Sequence, residues 1–510
     1  MKKLLSLFII HFSLFTLIQA STLNLSINEN PSRLNPILSN DSASSEISDW
    51  LFDGLFKYDK NGLITTNLAQ SYHFENKLKL IIKLRHDVLW HDGEKFTAND
   101  VLFTYHSIIN PKIFTSIASN YNKVASVKAL DDYTLEIIYK ESYFKALQIW
   151  MVGILPEHIL KNEPDMMSSS FNKNPIGTGA YKLKTFVASN DIKLIANDHY
   201  FLGRPKIDEI VYKFLPDPST SFLMLKQNQL DIGSLTPLQV DRQIDETFKK
   251  EYTIIEQPSF AYAYLGFNLK DKKFQDLKVR QALSLGINRK ELVDILFFGH
   301  ARVCTGPFLP GSFAFNDQIP AVKQDIKKAK ALLKEAGYDE THPFTFTTVT
   351  NTGNETRINA AEIIQYQLAK IGVKMNIRVM EWQAYLNTVV HPRKYEAILL
   401  GWKLALMPDA YPLWHSASDK KGAFNFVGYH NKEVDRLIEE ASVTIDQKQL
   451  GVYYKKIFKH ITDDIPYLFL YIPNSISAVN ASIKNIEPTF IGIMHNQIDW
   501  IKPEETQGDK

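Results

Sequence analysis

Apolar and polar positions alternate in short runs along this chain, and each run predicts a strand. Residues 24–27 form the first. Residues 78–84 set leucine and isoleucine against two lysines. His91-Asp92-Gly93 then predicts a tight turn, because glycine takes positive φ at little cost. A helix is predicted to open at Thr97. Its hydroxyl can cap the free amides of the first turn, and Asp100 stands where the reciprocal acid of a capping box belongs. Val101, Leu102 and Tyr105 follow on one face.

The clearest unit lies farther along. Residues 344–349 are strand-like, and Asn351-Thr352-Gly353-Asn354 is a loop. Residues 355–370 place Ile358, Ala361, Ile364 and Leu368 at helical spacing, Gly372 ends the helix, and 373–379 return as a strand. Strand, helix, strand at this length is a parallel crossover unit, so the predicted class is α/β. Two places mark candidate lobe boundaries. Glycines cluster at Gly177-Thr178-Gly179-Ala180, and a charged run, Asp271-Lys272-Lys273, follows a strand at 261–268.

The first 20 residues break the pattern. Lys2 and Lys3 precede an apolar run from Leu4 to Ile18, interrupted by Ser6, His11, Ser13 and Thr16, and the polar Ser21 follows Ala20. This is the layout of an export signal cleaved near Ala20, and the run is shorter than a membrane span requires. Residues 504–510 form a polar tail expected to be disordered.

At 510 residues, two or three domains are expected. The leader takes away two lysines and no acid, so the formal charge of +2 falls to 0, which gives no electrostatic case for nucleic acid or an anionic membrane surface. Cys304 is the single cysteine. It predicts no internal disulfide, it reads as a packed small residue, and no cysteine near Ala20 could carry a lipid. The mature chain is therefore expected free in the periplasm. No phosphate-binding glycine loop, no Gly-x-Ser-x-Gly and no His-Glu-x-x-His occurs, and no histidine pair has metal-ligand spacing on a helix. An enzyme is disfavoured, with a secreted peptide hydrolase or a periplasmic chaperone as the lesser readings.

The stretch 84–101, Leu-Arg-His-Asp-Val-Leu-Trp-His-Asp-Gly-Glu-Lys-Phe-Thr-Ala-Asn-Asp-Val, resembles the signature of the family-5 extracellular solute-binding proteins of ABC importers. Further segments agree in order: Gly177-Thr178-Gly179-Ala180-Tyr181, Pro216-Asp217-Pro218-Ser219-Thr220, Leu265-Gly266-Phe267-Asn268, Val279-Arg280-Gln281-Ala282-Leu283, and Phe424-Asn425-Phe426-Val427-Gly428-Tyr429. The resemblance implies a two-lobed periplasmic-binding-protein fold of class II type with an extra inserted domain. Residues 21–67, 181–270 and 479–510 would form the first lobe, 68–180 the insert and 271–478 the second lobe, with crossings near 270 and 478. It also implies a monomer that delivers di- or oligopeptides to a membrane permease, with a nickel chelate such as nickel–histidine as the alternative cargo and haem or sugars behind both.

The implied cleft residues are few. Trp402 matches a tryptophan that lines the cleft in relatives. Tyr264 and Asn268 flank the strand entering the hinge. Arg357, at a helix start, could grip a ligand carboxylate bidentately. Peptide-binding relatives place an acid soon after the tryptophan, to pair with the peptide amine. Residues 403–408 hold none, and Lys403 stands there instead. Asp409 is the next acid and is kept as a candidate, although its pairing with Pro408 has a structural look. His495, near the expected hinge, would be the metal contact under the nickel alternative, with His415 a weaker one. His91, Arg280 and Asp217 are expected to be structural.

Overall fold

The structure is a computed structural model. It describes residues 21–503 except 29, 40, 188–189 and 421–422. The leader and the polar tail lie outside the described residues.

Twelve strands join one mixed sheet, and one strand of 14 residues, Tyr467–Asn480, runs through both halves of it. At its start it pairs antiparallel with Ala261–Phe267, Gly266 opposite Tyr467 and Ala263 opposite Tyr471. At its end it pairs with Tyr252–Pro258, Pro258 opposite Asn474 and Tyr252 opposite Asn480. Two neighbouring strands therefore pass side by side from one half to the other. They are tied at the crossing by the Ser259 amide, which donates to the Pro473 carbonyl at 3.0 Å.

Beyond that strand, the first half runs through Ile232–Ser234, Thr22–Ile27, Glu209–Phe214, Asp191–Ala196 and Tyr181–Val187. Leu23, Leu25 and Ile27 are buried and their neighbours are not, the alternation of a half-buried strand. The second half runs through Ala261–Phe267, Ala397–Lys403, Thr345–Asn351 and Lys374–Met380. The predicted crossover unit is present: Thr345–Asn351 pairs parallel with Lys374–Met380, and the helix Glu355–Ala369 connects them. It buries Ala360, Ala361, Ile364 and Leu368, whereas Ile358, expected on that face, is half-buried. Both faces of this half-sheet are covered. Tyr262, Tyr264, Ile398 and Leu400 enter one core, and Ala263, Leu265, Phe267 and Leu399 enter the other.

Residues between the first strand and Tyr181 build a separate antiparallel sheet in the order Ala69–Asn76, Lys79–Leu84, Thr134–Tyr139, Val124–Asp131. The helix Ala98–Ile109 packs on it and opens with the predicted capping box: Asp100 accepts from the Thr97 amide at 2.9 Å. Leu80, Ile82, Leu135 and Ile137 share one continuous core with Leu25, Trp50 and Tyr212 of the first half.

The motif residues are structural. Asp217 caps the helix Pro218–Lys226. The Arg280 guanidinium donates to the Asp464 carbonyl at 2.8 Å, closing the end of the helix Gln447–Asp464. The His91 ring accepts from the Gly177 amide at 3.1 Å and donates to the Gly179 carbonyl at 3.0 Å, so it is held neutral. Burial pushes its pKa down from 6.5 to about 4. The unfolded chain then takes up this proton first. His91 thus contributes up to about 3 kcal/mol that is present above pH 6.5 and lost as pH falls towards 4. Urea midpoints at pH 7 and pH 4.5 are expected to differ less in His91→Gln than in the wild type. Equal differences would remove His91 from the acid response.

Candidate functional site

Two cavities lie where the halves approach one another, and a third adjoins them on the second half. One of about 660 Å³ lies between Lys145, Gln148 and Met151 on one side and Trp402, Met407 and Leu413 on the other. One of about 840 Å³ lies between the helix Ser42–Leu51 and the crossing strands, bordered by Glu46, Asp49, Ser259 and Ser475. One of about 390 Å³ is bordered by Tyr262, Arg357, Gly401 and Tyr471. Lys403 borders all three, and Trp402 borders the first and the last. The end of the strand Ala397–Lys403 is therefore the junction of the cleft.

Strand alternation aims Ile398, Leu400 and Trp402 at one face, and Trp402, near the strand's end, is the one left half-buried. Its indole is braced by neighbouring rings. Phe426 lies parallel to it at 5.5 Å and Tyr264 at 6.4 Å. Tyr467 stacks on Tyr264 at 3.8 Å, and the indole N–H donates to the Tyr467 hydroxyl at 3.4 Å. A rigid aromatic wall results, with little rotamer freedom left to lose on binding.

The other expected residues separate. Tyr264 is fully buried and lines none of these cavities; it supports Trp402 from behind. Asn268 stands at the far end of its strand, where its amide donates to the Tyr395 carbonyl at 2.9 Å. Arg357 does border the cleft. Its guanidinium donates to the Asn351 side-chain oxygen at 2.5 Å, and among the described residues it has no ion-pair partner. Asp409 also borders the cleft, but Lys145 holds it at 2.6 Å across the 660 Å³ cavity. His495 turns to the Gly492 carbonyl at 3.4 Å and is absent from the lining of the 840 Å³ cavity, which Met494 and Gln497 border instead. His415 is buried, accepts from the Ala417 amide and faces Glu439. Among the described residues no group of three or more His, Cys, Asp or Glu could hold a metal ion. Cys304 is buried, and that burial pushes its thiol up to about 12.

The family model of bacterial extracellular solute-binding proteins, family 5, matches residues 64–424. The chain belongs to this family. The oligopeptide-binding protein AppA of Bacillus subtilis (strain 168) is 34% identical over 473 residues, 89% of this chain and 86% of that protein. The solved structure of AppA from Bacillus subtilis in complex with a nonapeptide superposes with a TM-score of 0.77 at 32% identity, covering 95% of this chain and 99% of the other. That of NikZ from Campylobacter jejuni in complex with Ni(L-His) gives a TM-score of 0.78 at 29% identity, covering 95% and 100%. The family-5 chain has the two-lobed α/β fold of these neighbours, as the resemblance implied. No helix among its described residues is long and apolar enough to cross a membrane.

Sequence reasoning missed four residues of this family-5 cleft: Glu46, Asp49, Lys145 and Lys403. The Lys403 ammonium donates to the Ser42 hydroxyl at 3.0 Å, joining the second half to the first. Lys145 joins the 69–139 sheet region to the second half through Asp409. The residues 42–51 do carry a signal, because Ile47, Trp50 and Leu51 turn inward and leave Glu46 and Asp49 on a polar face. That pattern is also the pattern of any surface helix, so it does not reveal a cleft.

Proposed function

We propose that this chain is the periplasmic substrate-binding component of an ABC importer. It takes di- or oligopeptides into the cleft between its lobes and delivers them unchanged to the membrane permease. It acts as a monomer, without a cofactor and without catalysis. We assign residues 21–67, 181–259 and 474–510 to the first lobe, 68–180 to the insert and 260–473 to the second lobe. We set the hinge at Ser259–Phe260 and Pro473–Asn474, where strand partners change, rather than near 270 and 478.

The observation that carries this reading is the row of cavities joined at Trp402 and Lys403, two of them walled by both halves and the 390 Å³ one by the second half. A flat aromatic wall and backbone groups suit ligands of variable side chain. Arg357 offers a carboxylate site and is not neutralised by a neighbouring acid. The likeness to AppA with its nonapeptide points the same way. A nickel–histidine chelate is the second reading, favoured by the likeness to NikZ. It ranks lower because His495 is turned to the Gly492 carbonyl, away from the cavity lining.

Calorimetry on the purified mature protein with di- and tripeptides and longer peptides, and with nickel plus free histidine, tests the choice. One-to-one peptide binding is expected, with peptide masses unchanged after incubation. Binding of nickel–histidine alone, abolished by His495→Ala, would replace this reading with the second. Shortened peptides would make the protein a hydrolase.

A further inference from the structure

We propose that Tyr471 is a specificity-determining residue of the cleft: its hydroxyl joins the Arg357 guanidinium in the 390 Å³ cavity to receive a carboxylate of the bound peptide, from its C-terminus or from an acidic side chain. This rests on the peptide reading of the cleft, and it gives Arg357 a partner that selects a carboxylate over a carboxamide.

Strand register sets the floor of this cavity. Gly401 stands opposite Ala263, and Ala263 stands opposite Tyr471. Directly opposed residues share one face of a sheet, so two small residues lie in a row with the tyrosine. The Arg357 guanidinium lies over Gly401, where an added Cβ would stand 3.5 Å from its Nη2. The result is a trough with a floor of small residues, Arg357 at one end and Tyr471 at the other. The helix Glu355–Ala369 brings its N-terminus to the same cavity at Asn354 and Thr356, and Lys403 borders it as well. No Asp or Glu is among the described residues that border it, so an anion placed there meets no like charge on the walls.

The tyrosine itself is the independent sign of a ligand. Tyr471 is 5% exposed, and among the described residues its hydroxyl has no hydrogen-bond partner. The Tyr262 hydroxyl is also unpartnered but is sealed from solvent, whereas that of Tyr471 keeps accessible surface. The Tyr471 ring packs on Phe297, with centroids 4.8 Å apart, which fixes its direction. A nearly buried hydroxyl without a partner is unfavourable, and an acceptor on a ligand would relieve it. Burial pushes this phenol up to about 12, against the pull of the Arg357 charge, so it keeps its proton at neutral pH and can donate it. Tyr385 also feels the Arg357 charge, but its hydroxyl is committed to the Val349 and Leu399 carbonyls, both at 3.2 Å. Arg357 gives one N–H to the Asn351 side-chain oxygen, which leaves its other donors for a ligand.

Tyr471→Phe is titrated calorimetrically beside the wild type with two matched pairs: trialanine and its C-terminal amide, and Ala-Glu-Ala and Ala-Gln-Ala. The wild type is expected to prefer the carboxylate member of at least one pair. The variant is expected to lose about 10-fold in affinity for that member, the effect of one hydrogen bond to a charged group, and to stay within twofold of wild type for its amide partner. The first pair reports on the C-terminus and the second on the side chain. The melting temperature of the variant is expected not to fall, because only an unpartnered hydroxyl is removed. No preference in the wild type, no loss in the variant, or an equal loss for acid and amide overturns the subsite. If the wild type binds none of the four peptides, the peptide reading fails, and nickel with histidine or with histidinamide decides the subsite separately. Tighter binding of the histidine chelate that the variant weakens sustains it, and any other result overturns it.

Discussion

Replacing Trp402 with alanine is expected to weaken peptide binding about 100-fold while the protein stays folded. The indole borders two of the three cavities and stands beside Lys403, which borders all three. Its ring is held parallel to Phe426 and Tyr264, so the free protein already presents the bound orientation. Removing such an anchor takes away contact area and lets water into the junction, at a cost of about 2–3 kcal/mol, which is about 100-fold in Kd. The side chain is half-buried, so the fold loses less than it would at a core tryptophan such as Trp414, which is fully buried. Trp402→Phe is expected to keep most of the affinity, since stacking survives and only the donor to the Tyr467 hydroxyl is lost. Calorimetry on the three proteins decides this. An alanine variant within threefold of wild type would move the ligand away from this junction.

Gly177→Ala is expected to destabilise the protein by about 3 kcal/mol or more, whereas Gly451→Ala is expected to be neutral or to stabilise it by up to about 1 kcal/mol. A Cβ on Gly177 would overlap the backbone carbonyl oxygen of Leu51. Neither side can yield easily. The Leu51 carbonyl accepts from the Gly179 amide at 2.9 Å, and the Gly177 carbonyl accepts from the His91 amide at 2.9 Å. Overlap with tied backbone costs more than overlap with a side chain that can rotate. At Gly451, inside the helix Gln447–Asp464, the nearest atom to an added Cβ is 3.4 Å away, and alanine is the better helix former. Urea midpoints of the two variants should therefore move in different directions. Equal midpoints would mean that the loop at Gly177 shifts at little cost.

The elements that were legible in the sequence are those fixed by neighbours in the chain. The capping box at Thr97 and Asp100 needs only residues three apart. The crossover from Thr345–Asn351 through Glu355–Ala369 to Lys374–Met380 follows from periodicity and Gly372. The site was legible in part. Trp402 and Arg357 border cavities, while Tyr264 lies behind the wall and Asn268 lies at the opposite end of the same strand. Tyr262 and Tyr264 show why. A strand's period of two puts them on one face, but it does not say how far along the strand that face stops being core and starts being cleft. Here the change falls near Tyr262, which borders the 390 Å³ cavity.

By itself the sequence determined the class of fold, the family signature and the local caps and turns, because each depends on side chains close together in the chain or on a pattern repeated along it. Tertiary structure alone decided which polar groups face the cleft. Lys145 reaches Asp409 across a sequence separation of 264, and Lys403 reaches Ser42 across one of 361. Whether a carboxylate is paired or left free depends on such distant partners, since an ion pair forms by proximity in space and leaves no mark in local composition. That is why Asp409, kept as a candidate ligand contact, is held by Lys145, and why Glu46 and Asp49, unremarked on a surface-like helix, have no ion-pair partner among the described residues in the cleft.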